Sequence, residues 1–453
     1  MSRITPERLV AYSVLRRTFE DDEYTEVAFR DEATRNRLSG RVRAQAQRLA
    51  FGAVQRRGST DEIVSGLISR PGRRPDPPVM AALRLAMFEL LFSDGTPDHA
   101  PVDQAVDLAR SAGAGHAAGF VNALLRRTLR ERDGIRTRLA DDSTPAAAAL
   151  AHSAPRWLVD MWWDELGPER ARSVLAAANR PSERGVRVNT ARLSLEEAIE
   201  RFSGDGLELS PAAGDWPLAP AELLVAKGSL AGIERAAAEG LVVVQSRGSA
   251  AVVEVLDPQP GERILDMCAG PGIKTGQIAA RAGRQGNLVS IESDAGRAEE
   301  VAGQLERLGF HSGLVIEADA REGEIMSSFD RALVDAPCSD LGALASRPDA
   351  RWRKSPALIE RVAGLQAELL DRAVEMLEPG GSLVYSTCTI SRSENAEQVG
   401  ALLDRHRLEI DDLGALSPDL ADRGDRRCLQ LLPDRDRTTG FFIARLRKKP
   451  AQA

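Results

Sequence analysis

The sequence predicts two fold classes in one chain: an all-α domain over residues 1–138 and an α/β domain with a mostly parallel sheet over 239–450, joined by residues 139–238. Three observations predict it. Up to residue 138 apolar residues recur at three- and four-residue spacing, the period of an amphipathic helix. After residue 240 short apolar runs alternate with helical patterns, which a parallel sheet with helices on both faces requires. Between the two lies a mixed stretch with a Pro-rich loop at 211–220.

The helical part reads as RLVAYSVLRRTF, RVRAQAQRLAFGAVQRR at 41–57, DEIVSGLI, PVMAALRLAMFELLF, VDQAVDLARSA and AAGFVNALLRRTLRE, with Asp61 and Asp103 as expected helix starts. Breakers separate these segments at 69–78, 93–97 and 113–115. The middle part opens with APRWLVDMWWDELG, whose Trp157, Trp162 and Trp163 are expected to pack rather than stack on bases. GVRVNT then predicts a short strand and SLEEAIERF a helix, a small helical or α+β subdomain. In the last part ERILDMC, NLVSIES, GLVIEAD, RALVDAP and SLVYSTC predict strands. TGQIAARAG, AGRAEEVAGQLERLG, SPALIERVAGLQAELLDRAVEML and SENAEQVGALLDRH predict helices, and FFIARL a last strand at or near an edge hairpin.

Bulk properties narrow the function. The chain has 453 residues, 43% hydrophobic and 28% charged, without an apolar run long enough to span a bilayer or a leader-like start. The expectation is a soluble, cytoplasmic protein. Net charge is −7, so the whole chain is no evident polyanion binder, yet Arg126, Arg127, Arg130, Arg132, Arg136 and Arg138 cluster, as do Arg445, Arg447, Lys448 and Lys449. Either run is a candidate RNA patch or a solvated face. Cys268, Cys338, Cys388 and Cys428 lie far apart without a C-x-x-C pair, so no metal site and no disulfide framework is expected.

Ligands of an open α/β sheet bind beyond the carboxyl ends of its strands, so the chemistry should sit there. The first such end carries Asp266–Thr275, DMCAGPGIKT, a small-residue loop that lets backbone N–H groups reach a ligand ahead of a helix. It is neither a Walker loop nor G-x-G-x-x-G. Glu292 follows the next strand, with Asp294 as its rival for ribose hydroxyls, and Asp319 follows the third, placed to accept from an adenine amino group. VDAPCSDLGA then places Asp335 and Cys338 at one strand end, and VYSTCTISRSEN places Cys388 at another. Should those strands be neighbours, two thiols and a carboxylate converge. Thiolate attack on C6 of a pyrimidine uses such a set: it makes C5 nucleophilic enough to take a methyl group, while the carboxyl group stabilises ring charge. Spacing alone does not say which cysteine attacks. A nicotinamide oxidoreductase would want the missing G-x-G-x-x-G, and a non-catalytic RNA-binding assembly factor would not want two strand-end thiols.

At these residues the chain resembles the RsmB-type (Sun/Fmu) 16S ribosomal RNA cytosine-C5 methyltransferases over nearly its whole length. The resemblance rests on Cys268–Lys274, Asp335–Ser339, Thr387–Cys388 with Glu394–Asn395, Arg187–Thr190 and Gly440–Phe442. FVNALLRR at 120–127 and PVDQAVDLA before it resemble the NusB-like RNA-binding domain joined to these enzymes, which also favours ribosomal RNA over the alternative, transfer RNA. The resemblance implies a Rossmann-like domain with a seven-stranded, mostly parallel sheet, S-adenosylmethionine as cofactor, ribosomal RNA as partner, no metal and a monomer. It implies Cys388 as nucleophile, Cys338 as the group that assists release of methylated RNA, Asp335 as a contact to cofactor and base, and Lys274 beside them. It places the cofactor on Cys268, Ala269, Gly270, Pro271, Gly272, Lys274, Glu292, Arg297, Asp319 and Asp335, and RNA on Arg126, Arg127, Arg130, Arg187 and Asn189. Three departures stand out: Ile273 replaces a usual second glycine, Gln245-Ser246-Arg247 replaces a Gln-Asp start, and Glu292 replaces an aspartate.

Overall fold

The computed structural model describes residues 4–68, 72, 74–93, 95–181, 183–203, 207–212, 218–228, 231–283, 287–311, 313–323 and 328–450. Parts of two expected breakers (69–71, 73 and 94) and residues 213–217 of the Pro-rich loop lie outside the described residues. The chain divides into two compact units: residues 1–180 with 344–353, and residues 181–343 with 354–453.

The first unit is helical, as its periodicity predicts. It contains α1 (Pro6–Glu20), α2 (Thr25–Arg35), α3 (Gly40–Gln55), α4 (Arg57–Leu67), α5 (Pro77–Phe92), α6 (His99–Ser111), α7 (Ala118–Arg130), α8 (Arg132–Ala140), α9 (Pro145–His152), α10 (Arg156–Leu166), α11 (Pro168–Ala177) and, from the later segment, α17 (Ala350–Arg353). Helix α5 is apolar on nearly every side, and a helix of that kind belongs in a core. It meets α3 so closely that a Cβ at Gly52 would lie 2.1 Å from the Phe88 ring. One charge inside this core is matched: Arg8 of α1 donates a fork of 2.9 and 2.7 Å to Glu89 of α5. Losing either partner of such a pair costs about 3–5 kcal/mol, because the other charge stays buried.

Two expected helix starts fall elsewhere. Asp61 and Asp103 lie inside α4 and α6. Asp61 is held there by a two-point contact from Arg84, 2.7 Å at each oxygen, and so stabilises the helix side rather than its end. Trp162 of α10 is fully buried, as a packing role requires.

The segment 344–353 belongs to this unit through an unusual cation. Arg351 is fully buried and donates to the carbonyls of Ser153 and Ala178 and to Asn179 Oδ1, at 3.1, 3.0 and 3.0 Å. These groups sit just past the ends of α9 and α11, where orphan carbonyls present partial negative charge. Burial, with the nearby Arg56 charge, pulls the Arg351 guanidinium down to about 9. Trp352 adds an indole N–H to Val54 O at 2.8 Å.

The second unit begins with a four-stranded antiparallel sheet ordered β2-β3-β1-β4. Its elements are β1 (Arg184–Val188), α12 (Leu195–Ser203), β2 (Leu207–Pro211), β3 (Leu223–Gly228), α13 (Ala231–Ala238) and β4 (Val242–Val244), the split βαβ arrangement of a ferredoxin-like layer. The larger sheet follows, from α14 (Arg247–Leu256), β5 (Arg263–Asp266), α15 (Ile273–Ala282), β6 (Asn287–Glu292), α16 (Ala295–Leu308), β7 (Leu314–Glu317), β8 (Phe329–Asp335), α18 (Pro356–Met376), β9 (Leu377–Thr387), α19 (Ala396–Arg405), β10 (Leu408–Ile410), α20 (Leu413–Leu416), β11 (Leu429–Leu431), α21 (Pro433–Asp436) and β12 (Phe441–Lys448). Its order is β10-β12-β9-β8-β5-β6-β7, with the pairs among β7, β6, β5, β8 and β9 parallel. It has eight strands where seven are expected. The additional one, β11, spans Leu429–Leu431 and pairs with β12 off the main path. Strand β12 is near the edge, as expected: it lies one strand in, between β9 and β10, and pairs with β11.

The central strands are buried on both faces, which is why they read as unbroken apolar runs instead of alternating ones. Ala332, Leu333, Val334, Leu383, Val384 and Tyr385 are all fully buried. The order reverses at β5: β6 and β7 lie on one side, β8 and β9 on the other. A switch of this kind opens a crevice at the carboxyl ends of the strands. The loops after β5, β8 and β9 meet there.

Candidate active site

The loop after β5 is shaped by its glycines. Gly270 and Gly272 take φ of +55° and +83°, and a Cβ on Gly272 would come within 3.0 Å of Val301 Cα. Ile273 is already the first residue of α15, so the left-handed turn falls on Gly272 and the departure from a second glycine carries no backbone strain. Asp266 closes β5 with a buried carboxyl group. Its Oδ2 accepts from the Thr275 hydroxyl at 2.7 Å, and its Oδ1 has no hydrogen-bond partner among the described residues. Burial pushes this carboxyl up to about 6, against the pull of Thr275. The Cys268 thiol is likewise pushed up by burial and by neighbouring carboxylates.

At the next strand end Glu292 accepts the Gly270 N–H at 2.8 Å and the Asp294 N–H at 3.1 Å. It thereby ties the glycine loop to β6. A carboxylate has about four acceptor positions, so two remain for a ligand. Asp294 caps α16 through the Arg297 N–H at 2.9 Å, and the Arg297 guanidinium stands 4.0 Å from Glu292. Asp319, after β7, is gripped at the surface by Arg321, 2.6 Å at its closest. That contact holds its carboxyl below the usual range.

The loops after β8 and β9 run side by side because β8 and β9 are parallel neighbours, with Asp335 opposite Ser386 in register. Asp335 accepts from Lys274 Nζ at 2.5 Å on one oxygen and from Ser386 Oγ at 2.7 Å on the other. Lys274, on the first turn of α15, also lies 5.1 Å from the centre of the Phe441 ring. Cys338 and Cys388 bring their sulfurs to 3.3 Å. The Cys388 thiol is raised well above its ordinary value by its hydrogen bond with Cys338, then by burial, then by the charges of Cys338, Asp340 and Asp335.

Two devices fix the thiols. The first is Glu394, fully buried, which accepts the Ser339 N–H at 2.8 Å, the Ser339 hydroxyl at 2.5 Å and Gln366 Nε2 at 3.2 Å. Burial pushes its carboxyl up, and these donors draw it back. Asn395 beside it accepts from Thr387 at 2.6 Å and donates to Thr389 O at 3.2 Å. The Glu-Asn pair therefore clamps Ser339, just after Cys338, and Thr387 and Thr389 on either side of Cys388. The second is Gly342, whose N–H donates to Cys388 O at 3.0 Å and whose carbonyl accepts from Gly440 at 2.8 Å. A Cβ there would lie 2.3 Å from Gly440 O and 2.8 Å from Cys388 O, so only glycine lets the loops touch.

Reasoning from sequence missed Asp266, Asp340, Gly342 and Ser386 as site groups. Asp340 and Gly342 stand two and four residues beyond Cys338, a signal that was available.

The structure turns two expected RNA contacts inward. Arg187 is buried, donates to Gln245 Oε1 at 2.7 Å, and is pulled down to about 10 by burial. Asn189 is buried and donates to Gly240 O and Leu308 O at 2.9 and 3.2 Å. Both therefore build the fold, joining β1 to its surroundings, and do not present to a polyanion. On α7, by contrast, Arg126 and Arg130 are exposed, while Arg127 is partly spent on Glu131 and Leu67 O, at 2.7 and 2.9 Å. The basic run at the chain's end is paired within the sheet: Arg445 and Arg447 both hold Asp411, at 2.5 and 3.0 Å.

A doubly wound sheet with a glycine loop, successive strand-end acids and two converging thiols fits an enzyme of the α/β methyltransferase class. Comparison with known proteins sharpens this. Residues 253–447 match the family described as 16S rRNA methyltransferase RsmB/F, residues 5–130 match the NusB family, and residues 154–215 match the RsmF/B-like ferredoxin-like domain. The chain is 31% identical over 453 residues to the probable ribosomal RNA small subunit methyltransferase B of Bacillus subtilis, covering 98% of this chain and 99% of that one. It is 31% identical over 448 residues to the protein of the same description from Synechocystis, covering 97% and 99%. Among solved structures, PH0851 superposes with a TM-score of 0.82 at 26% identity, covering 99% of this chain and all of that one. The chain belongs to the RsmB/F methyltransferase family, with its NusB and ferredoxin-like domains.

Proposed function

We propose that this protein transfers a methyl group from S-adenosylmethionine to C5 of a cytosine in small-subunit ribosomal RNA, through a covalent bond between Cys388 and C6. The observation that carries the reading is the 3.3 Å approach of two thiols at the ends of neighbouring parallel strands, directly beside the Lys274–Asp335 pair. A structural thiol needs no second thiol and no ion pair at its side. A nucleophile that must add and then leave gains from groups that handle protons and charge at its side.

The residues present suit the cofactor. The unpartnered, buried Asp266 Oδ1, the free acceptor positions of Glu292 and the orphan N–H groups at the start of α15 converge on the glycine loop. Cys268, Ala269, Gly270, Pro271 and Gly272 would form its floor, with Glu292 and Asp319 at the nucleoside and Arg297 at the rim. Bound there, S-adenosylmethionine supplies an electrophilic methyl group on a sulfonium.

The chain's own groups do the rest. Cys388 adds to C6 and makes C5 carbanion-like. Asp335, kept in place by Lys274 and Ser386, faces the cleft with acceptor capacity for the base, and the adjacent ammonium offsets ring charge. Cys338, in contact with Cys388, assists departure of the product. The exposed Arg126 and Arg130 of α7 offer phosphate contacts in the NusB-like unit. Incubation with radiolabelled S-adenosylmethionine and separate ribosomal and transfer RNA pools tests the reading. Label is expected in the small-subunit RNA as 5-methylcytosine. Label confined to transfer RNA, or at another base atom, contradicts it.

A further inference from the structure

Asp340 follows the Cys338 motif and is one of the few non-glycine residues in a left-handed conformation, φ +58°. Such a backbone is strained for an L residue and persists where surrounding contacts demand it. The contacts here are specific. Asp340 Oδ1 accepts from Cys388 Sγ at 3.2 Å, and Asp340 Oδ2 is held by Lys354 Nζ at 3.2 Å. A glycine would adopt this turn freely but would leave the thiol without a carboxylate.

We propose that Asp340 is the catalytic base of Cys388: it takes the thiol proton as the sulfur adds to the cytosine ring. The assignment rests on the function proposed above and deepens it. The Sγ–H bond breaks and its proton passes to Asp340 Oδ1 while the Sγ–C6 bond forms. The C5=C6 electron pair moves to C5, which takes the methyl group. When the C5 proton leaves to solvent, the pair returns to C5=C6, the Sγ–C6 bond breaks, and the proton on Asp340 goes back to Sγ. Net, a methyl group replaces one proton. Lys354 aims the carboxylate by holding its far oxygen.

Among the described residues, the charged and titratable groups that act most on Cys388 are Cys338, Asp340 and Asp335, with Lys354 on Asp340 and Lys274 on Asp335. This set gives the test opposite signs. As a mere negative charge, Asp340 disfavours the thiolate, so its removal would speed both alkylation and methyl transfer. As a base, its removal slows methyl transfer even though thiolate becomes easier to form.

The experiment uses the full chain and two readouts. Cys388 alkylation by iodoacetamide, followed against pH in a Cys338→Ala background, needs no RNA. Single-turnover methyl transfer to small-subunit RNA is followed against pH with Cys338 intact. For Asp340→Asn and Asp340→Gly we expect an alkylation midpoint at lower pH, and methyl transfer about 100-fold slower at pH 7, within the range typical of a lost general base. The deficit should shrink about tenfold per pH unit as hydroxide takes over. Asp340→Gly should melt at or above the parent temperature, because it relieves the strained turn. Transfer within threefold of the parent at pH 7 overturns the proposal, as does a deficit that is the same at every pH. If the parent labels no RNA while the alkylation midpoint still moves, the function proposed above has failed, and with it the catalytic role, but not the Asp340–Cys388 contact.

Discussion

Gly342→Ala is the sharpest probe of how the thiols are held. The φ of Gly342 is not in the left-handed region, so alanine meets no backbone penalty and the effect is steric. The new methyl carbon would stand 2.3 Å from Gly440 O and 2.8 Å from Cys388 O, against an ordinary contact of 3.4 Å or more. Both obstacles are backbone, so they yield by about 1 Å or not at all, at the usual overpacking cost of about 1–3 kcal/mol. At roughly 2–4 °C per kcal/mol for a unit of this size, melting should fall by several degrees. The displaced carbonyl belongs to Cys388 itself. A misplacement of about 1 Å can cost on the order of 100-fold in rate. The assay is single-turnover methyl transfer at saturating cofactor, alongside thermal unfolding. A variant within threefold of the parent rate, with unchanged melting, would refute the claim that Gly342 sets the register of the two cysteine loops.

Other outcomes follow from the same geometry. Cys388→Ala should abolish methyl transfer, and Cys338→Ala should leave RNA attached to protein as a slow band in a denaturing gel; prompt release of RNA by that variant would deny Cys338 its role. Asp266 has a carboxyl raised from 3.8 to about 6. The folded state thus holds a proton that the unfolded chain has already lost, and stability falls as pH rises from about 4 to 6. Asp266→Asn should remove that slope and melt higher than the parent at pH 7, by up to about 3 kcal/mol, while binding S-adenosylmethionine more weakly; an unchanged slope in chemical denaturation would show that the group is not buried as described. Arg126→Ala with Arg130→Ala should lower RNA affinity and reduce the salt slope by up to about two, whereas Arg187→Ala should act through stability. An unaltered slope in the double variant would place the RNA elsewhere.

The layered plan of the chain was legible because each part declares its period. The 3.6-residue rhythm of α1 and of α3 to α7 and the bare apolar runs of β5, β6, β8 and β9 leave few alternatives, whereas α2 went unread. The strand-end motifs were legible for a related reason: chemistry in such sheets collects at carboxyl ends, so Glu292, Asp335, Cys338 and Cys388 could be singled out before any fold was known. What bound them was not. Cys338 and Cys388 are 50 residues apart, and only the sheet order makes them neighbours. Glu394 was noticed as part of a pattern, but its work as a clamp depends on Ser339 and Gln366 arriving from other elements. The resemblance assigned Arg187 and Asn189 to RNA, but β1 is buried on both faces, and the elements that take up these two polar groups are remote in sequence. Arg351 shows the same limit: its burial among helix-end carbonyls comes from chain segments remote in sequence.

Sulfur–carbon bond formation at Cys388 is the step on which the proposed reaction turns. The direct measurement is mass spectrometry of the protein after incubation with S-adenosylmethionine and small-subunit RNA carrying 5-fluorocytidine, in which the C5 substituent cannot leave as a proton. The expected product is a peptide spanning Cys388 joined to a methylated fluorocytidine nucleotide. Absence of any adduct, or an adduct on Cys338, would contradict it.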